Sequence, residues 1–345
     1  MSVQRSVLRR TALVGFVVGL ALVVAGCGSS GLGAAENKVG PMAAGFATLP
    51  NRPQVLRSVI IVDVGRLRRA YRRTSGFRRA LQGVWLPDAA VGVVSPAWRR
   101  SLGFGLDDLE SVASAGYHPS SVMVADGTFS PERVRSALEG FGCRAKGDRI
   151  ACHRDGAFDA RTPTGRLVLS AVNQVRSSRT RLITASTAAL ERAAEAPGRT
   201  LADDEGFAAL AAALDPVTSA VVLDAHLVRP PTGVPAAILP RFAARRIAAG
   251  IDDKGSRQRT LKLGLLYDRA DEAESDAATI RSRIASTRLS GAVGDRFSDV
   301  AAGWKVIAEG RVVKITATLP SGADPGTWRY LVESGDLATL VRQRP

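Results

Sequence analysis

Apolar residues first gather in residues 13–24, behind Arg5, Arg9 and Arg10, in a run of the length of a secretory signal's core and too short for a membrane span. The next dense run, Val59-Ile60-Ile61-Val62, predicts a buried strand. Residues 66–81 then carry Leu67, Ala70, Tyr71, Phe77 and Leu81 at helical spacing, which predicts an amphipathic helix. A second strand is expected over residues 121–126. Ser130-Pro131 follows it as an N-cap with proline at the first helical position, ahead of the apolar face Val134, Ala137, Leu138 and Phe141. Strands are expected over residues 167–172, 181–184 and 220–224, and helices over 187–196 and 203–214. Residues 229–240, beginning Arg229-Pro230-Pro231 and ending at Pro240, interrupt both periodicities. Beyond them the pattern predicts a strand over 261–267, a helix over 271–285, a hairpin of 304–308 with 311–319 closing on Glu309-Gly310, and a terminal helix over 328–341.

Short strands alternating with amphipathic helices predict an α+β fold, with antiparallel sheets and helices packed against one face. Strand, helix and hairpin occur in the same order in residues 121–152 and 261–319, so two related halves and a chance recurrence are both open. The expected organisation is a signal peptide (1–26), a flexible tether (27–53), a first domain (54–228), a proline-rich linker (229–240) and a second domain (241–345). Residues 28–53 are rich in Gly, Ala, Ser and Pro without a sustained apolar period, and a flexible segment of that length reaches roughly 25–30 Å.

Val24-Ala25-Gly26-Cys27, at the end of the first apolar run, resembles a bacterial lipobox. The resemblance implies a diacylglyceryl group on the Cys27 thiol, cleavage of the bond before it, and a chain anchored in the cell membrane on its extracytoplasmic face. An ordinary secretory signal, or an uncleaved apolar helix, would also keep the chain outside the cytoplasm. Arg9-Arg10 resembles a twin-arginine export signal too, although Leu8 and Thr11-Ala12 fit it poorly. The remainder resembles exported actinobacterial proteins built from strand–helix–hairpin units, through Gly127-Thr128-Phe129-Ser130-Pro131 leading into Val134 and Leu138, and Leu201-Ala202-Asp203-Asp204 leading into Phe207 and Leu210. That likeness carries no active residues onto this chain.

The formal net charge of +15 falls to +12 once residues 1–26, with three arginines and no acid, are set aside. For an exported chain, such a surface points to anionic lipid, acidic wall polymer or an acidic envelope protein rather than to nucleic acid. Arg66, Arg68, Arg69, Arg72, Arg73, Arg78 and Arg79 crowd the first predicted helix and are the candidate contact with an anionic surface. A merely solvated helix face is the competing explanation.

With Cys27 lipidated, Cys143 and Cys152 remain, and an even number in an exported protein favours a disulfide. Gly147-Asp148 reads as a two-residue turn. Closing a hairpin there sets Lys146 opposite Arg149, Ala145 opposite Ile150 and Cys143 opposite Cys152, with Ala145, Ile150 and both cysteines on one face. A metal site of Cys143, Cys152 and His153 would lack a fourth nearby ligand. His118, His153 and His226 stand at no spacing that forms a nucleophile elbow or a metal pair, and Gly103-Phe104-Gly105 lacks the context of a phosphate loop. Asp268, Asp271, Glu272, Glu274 and Asp276 fit a helix N-terminus better than a calcium loop. No cofactor is called for. The expected function is a non-catalytic binding or scaffolding role at the envelope. The alternatives are a lipid or glycolipid carrier, which needs a large apolar cavity, and an envelope enzyme whose active residues are dispersed along the sequence.

Overall fold

The structure is a computed structural model, and it describes residues 39–71, 74–87, 90, 96–117, 119–152, 172–225, 241–255, 258–289, 296–324, 326–340 and 343–344. The expected signal peptide, Val24, Ala25, Gly26, Cys27, Arg72, Arg73, all three histidines, the proline segment 229–240 and the strand expected over 167–172, save Val172, lie outside the described residues.

Twelve strands form one sheet. They are β1 (Ser58–Asp63), β2 (Leu109–Tyr117), β3 (Ser120–Gly127), β4 (Arg144–Lys146), β5 (Arg149–Ala151), β6 (Gln174–Ser177), β7 (Arg181–Ala185), β8 (Ser219–Asp224), β9 (Arg246–Asp253), β10 (Arg259–Leu266), β11 (Ala302–Glu309) and β12 (Val312–Thr318). Their order across the sheet is β11-β12-β10-β9-β8-β1-β2-β3-β7-β6-β5-β4, and every pairing is antiparallel. The helices are α1 (Pro41–Thr48), α2 (Val64–Ala70), α3 (Thr74–Gln82), α4 (Pro96–Leu102), α5 (Pro131–Glu139), α6 (Ala188–Glu195), α7 (Glu205–Leu214), α8 (Ala270–Ser286), α9 (Phe297–Val300), α10 (Thr327–Glu333) and α11 (Asp336–Leu340). The fold is α+β, as the sequence pattern implies, but its helices cover both faces of one antiparallel sheet rather than one face.

Because side chains alternate along a strand, each strand feeds two cores. On one face, Ile247, Ala249, Ile251, Leu261, Leu263 and Leu265 pack with Ile280, Phe297, Trp328 and Leu331, contributed by α8 to α10. On the same face, farther along, Val62, Val112, Met123 and Leu182 pack with Leu67, Leu81, Val134 and Leu138 of α2, α3 and α5. The opposite face carries a second layer in the middle of the sheet, where Val59, Ile61, Ala113, Val124, Ile183 and Val222 meet Met42, Phe46, Leu190, Phe207 and Leu210 of α1, α6 and α7.

The division expected at residues 229–240 is not a break in the fold. β8 precedes those residues and β9 follows them, yet the two strands pair from Arg246↔Asp224 to Ile251↔Ser219. One sheet runs through both expected domains, and the described residues form one compact unit. The central pair, β1 with β8, is antiparallel, and the same order runs outward on each side. Three strands (β1, β2, β3 or β8, β9, β10) are followed by a helix (α5 or α8) and then by a hairpin whose second strand (β7 or β12) returns to pair with the third. A local twofold between β1 and β8 would give this order. In the sheet, the counterpart of β11–β12 is β6–β7 rather than the cysteine hairpin β4–β5, which adds two strands at one edge.

Residues 39–53 also differ from the expectation of a tether. Pro41 opens α1, and Met42, Phe46 and Leu49 are fully buried. Leu49 O accepts from Leu201 N, and the Asn51 N–H donates to Arg199 O, so the segment is tied to the loop before α7. The expected terminal helix is two helices, α10 and α11, separated at Gly335, whose φ of 77° is left-handed.

Candidate functional site: a groove beside the first helix

Helix α1 is held at both ends and along one face. Its first free N–H groups are satisfied by a residue far away in sequence. Met42 N donates to Asp215 Oδ1 at 3.0 Å and Ala43 N to Asp215 Oδ2 at 3.1 Å. Gly40 is required beside this contact, because a Cβ there would collide with the Asp215 carboxyl group. Burial pushes the Asp215 carboxyl above its ordinary range, opposed by those two backbone hydrogen bonds. At the other end, Phe46 stands edge-to-face on Phe207 with ring centroids 5.1 Å apart.

A groove of about 290 Å³ opens on each side of the helix. One lies against α7 and is lined largely by Ala43, Ala202, Ala208, Ala211 and Ala212. The other lies between α1 and the sheet and has more chemistry. Its wall is Pro41, Ala44, Gly45 and Thr48, and its floor includes Ile61, Ala113 and Val124. Its charged lining residues, among the described ones, are Asp63, Glu110 and Asp126, in a chain of 47 basic and 32 acidic residues.

Strand register places these groups. Asp63 is opposite Ser111, and Ser111 is opposite Asp126, so the three form a row across β1, β2 and β3 on one face. Ile61, Ala113 and Val124 form the next row on that face. Asp63 ends β1 and caps α2, accepting from Arg66 N at 2.7 Å. Asp126 holds Arg181 at 2.8 Å, and Glu110 holds Arg68 at 2.7 Å. Asp63 has no cationic side chain within 4.0 Å among the described residues.

The arginines singled out in the sequence are spread over different environments. Arg66 Nη2 lies 2.5 Å from Asp252 Oδ1, which is buried. Arg68 also donates to Leu109 O at 2.7 Å and Leu106 O at 3.2 Å. These two are structural ties rather than a solvated face, since a half-buried guanidinium needs its donors matched. Arg69, Arg78 and Arg79 are exposed and stand in no ion pair among the described residues. Leu67, Phe77 and Leu81 pack inward, but on two helices, α2 and α3, rather than on the one helix expected over residues 66–81. Tyr71 is instead half-buried in a polar knot with Asp253 and Arg259. Its hydroxyl lies 2.9 Å from both Asp253 carboxylate oxygens, and Arg259 Nη2 donates to it at 2.9 Å. Burial pushes the Tyr71 hydroxyl up, against the pull of Arg259.

Cys143 and Cys152 form a disulfide-compatible pair with Cα atoms 4.1 Å apart. The register Arg144↔Ala151, Ala145↔Ile150 and Lys146↔Arg149 is the one the Gly147-Asp148 turn implies, with Gly147 at φ 64°. Arg149 is not left to solvent. Its Nη2 lies 2.8 Å from Oε2 of the fully buried Glu191, whose Oε1 accepts from Arg176 Nε at 2.6 Å. Arg176 also meets Asp148 and Glu195, which ties the hairpin to α6.

The acidic stretch at α8 serves its helix. Arg269 pairs with Asp271 at 2.7 Å, while Tyr267 donates to the buried Asp276 and has its hydroxyl pushed up by burial. Asp204 caps α7 through Gly206 N and Phe207 N, and Asp203 is held below the usual carboxylate range by the Thr200 N–H.

No protein-family model, curated protein or solved structure matches this chain.

Sequence reasoning did not find the groove. Two signals were present: Met42, Phe46 and Leu49 at i, i+4 and i+7 behind Pro41, and an aspartate ending each of two apolar strands, at Asp63 and Asp126.

Proposed function

We propose that this chain is a lipid-anchored extracytoplasmic protein that binds a ligand or partner at the cell membrane without catalysing a reaction on it. The anchoring half of this reading rests on Val24-Ala25-Gly26-Cys27. The observation that carries the binding half is the groove beside α1, because Val39 lines it and only twelve residue steps separate Val39 from Cys27. Even fully extended, twelve residues span about 40 Å, so an anchor on Cys27 would hold the groove close to the bilayer. Its lining supplies carboxylates, a serine hydroxyl and aliphatic surface, a set suited to recognition.

Asp63, which caps α2, lines the same groove as Val39, so α2, which carries Arg69, begins at the tethered end of the domain, and α3, which carries Arg78 and Arg79, follows it in the chain. Arg69, Arg78 and Arg79 are therefore the members of the arginine set that would orient the domain on anionic lipid or an acidic polymer, each worth about 1 kcal/mol near such a surface. The lipid-carrier reading draws less support, since a groove of about 290 Å³ lies at the small end of ligand pockets and is short of room for a diacyl lipid.

Two measurements test the proposal. Cys27→Ala is expected to leave an uncleaved precursor or to release the chain from the membrane fraction; an unchanged mature mass on the membrane would refute anchoring through Cys27. Arg69, Arg78 and Arg79 changed together to Gln are expected to weaken salt-sensitive binding to anionic vesicles. Equal binding to neutral and anionic vesicles would refute that contact.

A further inference from the structure

We infer that the outer face of β12 and β11, at one edge of the sheet, is a docking surface for an acidic amphipathic helix of a partner protein. This surface is separate from the groove beside α1 and does not depend on what that groove binds.

The two sides of the sheet match in strand order but not in cover. On the β1 side, α6 lies over β3, β7 and β6, with Leu190 and Ala194 in one core with Val122, Ile183 and Ala185. The matching strands on the β8 side are β10, β12 and β11. There α7 covers β10 and part of β12. Register sets Lys314 opposite Ile307 and Thr316 opposite Lys305, on the face where Leu266 and Val312 pack with α7. Lys305 and Ile307 are exposed, and Ile307, at 47%, is one of two large apolar side chains so exposed among the described residues. Val306 points the other way and is buried beneath α8, so the exposure belongs to one face and not to a loose edge.

Charge selects the partner. Where the cover exists, its acids meet cations of the strands: Glu191 of α6 holds Arg176 and Arg149, and Glu195 holds Arg176. The open face carries the same sign without the acids. Lys305 and Lys314 stand in no ion pair among the described residues, and Glu309, at the end of β11, is the one acid on that strand. Ile307 lies across from Lys314 and two residues from Lys305, so an apolar contact is flanked by two free cations. A helix with an apolar stripe bordered by carboxylates complements both. A second copy of this chain, at a net charge of +15, would meet the face with repulsion.

Backbone geometry selects a helix over a strand. Arg281 of α8 donates through Nε and Nη2 to Val306 O, each at 3.1 Å, and the register of β11 with β12 shifts between Ala302 and Lys305. An occupied carbonyl and a bulge both oppose the addition of another strand at this edge. A partner therefore meets the face. Two strands about 4.8 Å apart make a strip about 10 Å wide, the diameter of one helix.

The test uses the whole chain in a neutral detergent with labelled isoleucine methyls, and a fluorescent helical peptide with leucines along one face, glutamates flanking them and alanine elsewhere. Two further peptides keep the leucines and carry lysine or glutamine in place of glutamate. The acidic peptide is expected to shift the Ile307 methyl signal saturably and, by fluorescence anisotropy, to bind at least about tenfold more tightly than the lysine peptide. Lys305→Glu with Lys314→Glu, both at solvent-accessible positions, is expected to reverse that preference, and Ile307→Ser to weaken binding of the acidic peptide about tenfold. An Ile307 signal that does not move, or equal affinity for the acidic and lysine peptides, would overturn the proposal. So would polyglutamate that binds as tightly as the acidic helix, or anionic vesicles that move Ile307 when the peptide does not, the first pointing to an acidic polymer and the second to a membrane.

Discussion

Helix α1 separates two accounts of residues 39–53 that differ by several kcal/mol, and Phe46→Ala measures the difference. If the segment were a tether, the substitution would fall on solvated chain and change stability by no more than about 0.5 kcal/mol. In the structure the Phe46 side chain is fully buried, faces Phe207 edge-on at 5.1 Å and lies among Met42, Val59, Ile61 and Leu210. Truncating such a phenylalanine costs about 3–5 kcal/mol, the lost transfer energy plus the cavity left behind. For a chain of this size, about 2 °C per kcal/mol converts that loss into a fall in Tm of roughly 6–10 °C. Because a helix at the edge of a core can open before the rest, amide exchange at Ala44 to Leu49 should accelerate as well, while exchange in β9 stays slow. Ala47→Gly, on the exposed side of the same helix, is the control and should cost about 1 kcal/mol or less. A Tm shift under 2 °C for Phe46→Ala, with unchanged exchange, would refute the docking of α1 and with it the groove that α1 walls.

Glu191 and Arg176 should be unequal when each is removed. Arg176→Ala strands a buried carboxylate that then keeps only Arg149, and should cost about 3–5 kcal/mol, whereas Glu191→Gln leaves partly exposed arginines that water can reach and should cost less; the reverse order in urea unfolding would contradict the burial of Glu191. Asp215 has a carboxyl raised by burial, so the folded state binds its proton more readily than the unfolded chain, and stability from this group is gained as pH falls through the window above its ordinary value of 3.8 and levels off below it. The stability of Asp215→Asn relative to the unsubstituted chain should therefore worsen as pH is lowered through the window just above 3.8, and a relative stability that moves in the Asn variant's favour with acid would refute this sign. Bridging Cys143 to Cys152 closes a loop of about ten residues, so replacing both with Ser should cost roughly 2–3 kcal/mol, and two titratable thiols in the native chain would contradict the bridge.

Local rules were enough for much of the fold. The run Val59–Val62, the Ser130-Pro131 start of α5, the Glu309-Gly310 hairpin and the cysteine register follow from side-chain alternation, capping and turn geometry, all of which act over a few residues and leave a mark in the sequence. β2 left no such mark. Its inward residues are Val112, Ala113 and Ala115, small because helices and neighbouring strands approach closely, and small residues carry little periodic signal. β9 was hidden for another reason. It is buried from end to end, and its Arg246, Asp252 and Asp253 are charged, which reads as loop until Asp204, Arg66 and Arg259 are seen to pair with them.

What only the tertiary structure decided is everything that depends on partners distant in the chain. α1 is eight residues long, too short to hold itself in water, and it exists because Asp215, about 170 residues away, supplies its cap and Phe207 supplies its packing. The continuity of the sheet across residues 229–240 depends on β8 finding β9, a pairing no local pattern encodes. The same holds for the candidate site. Sequence alone marked an arginine-rich helix, because charge is countable, but it could not say that Arg66 and Arg68 are spent on Asp252 and Glu110. Nor could it bring Asp63, Ser111 and Asp126 into one row, since that requires three strands in register and a helix to wall them.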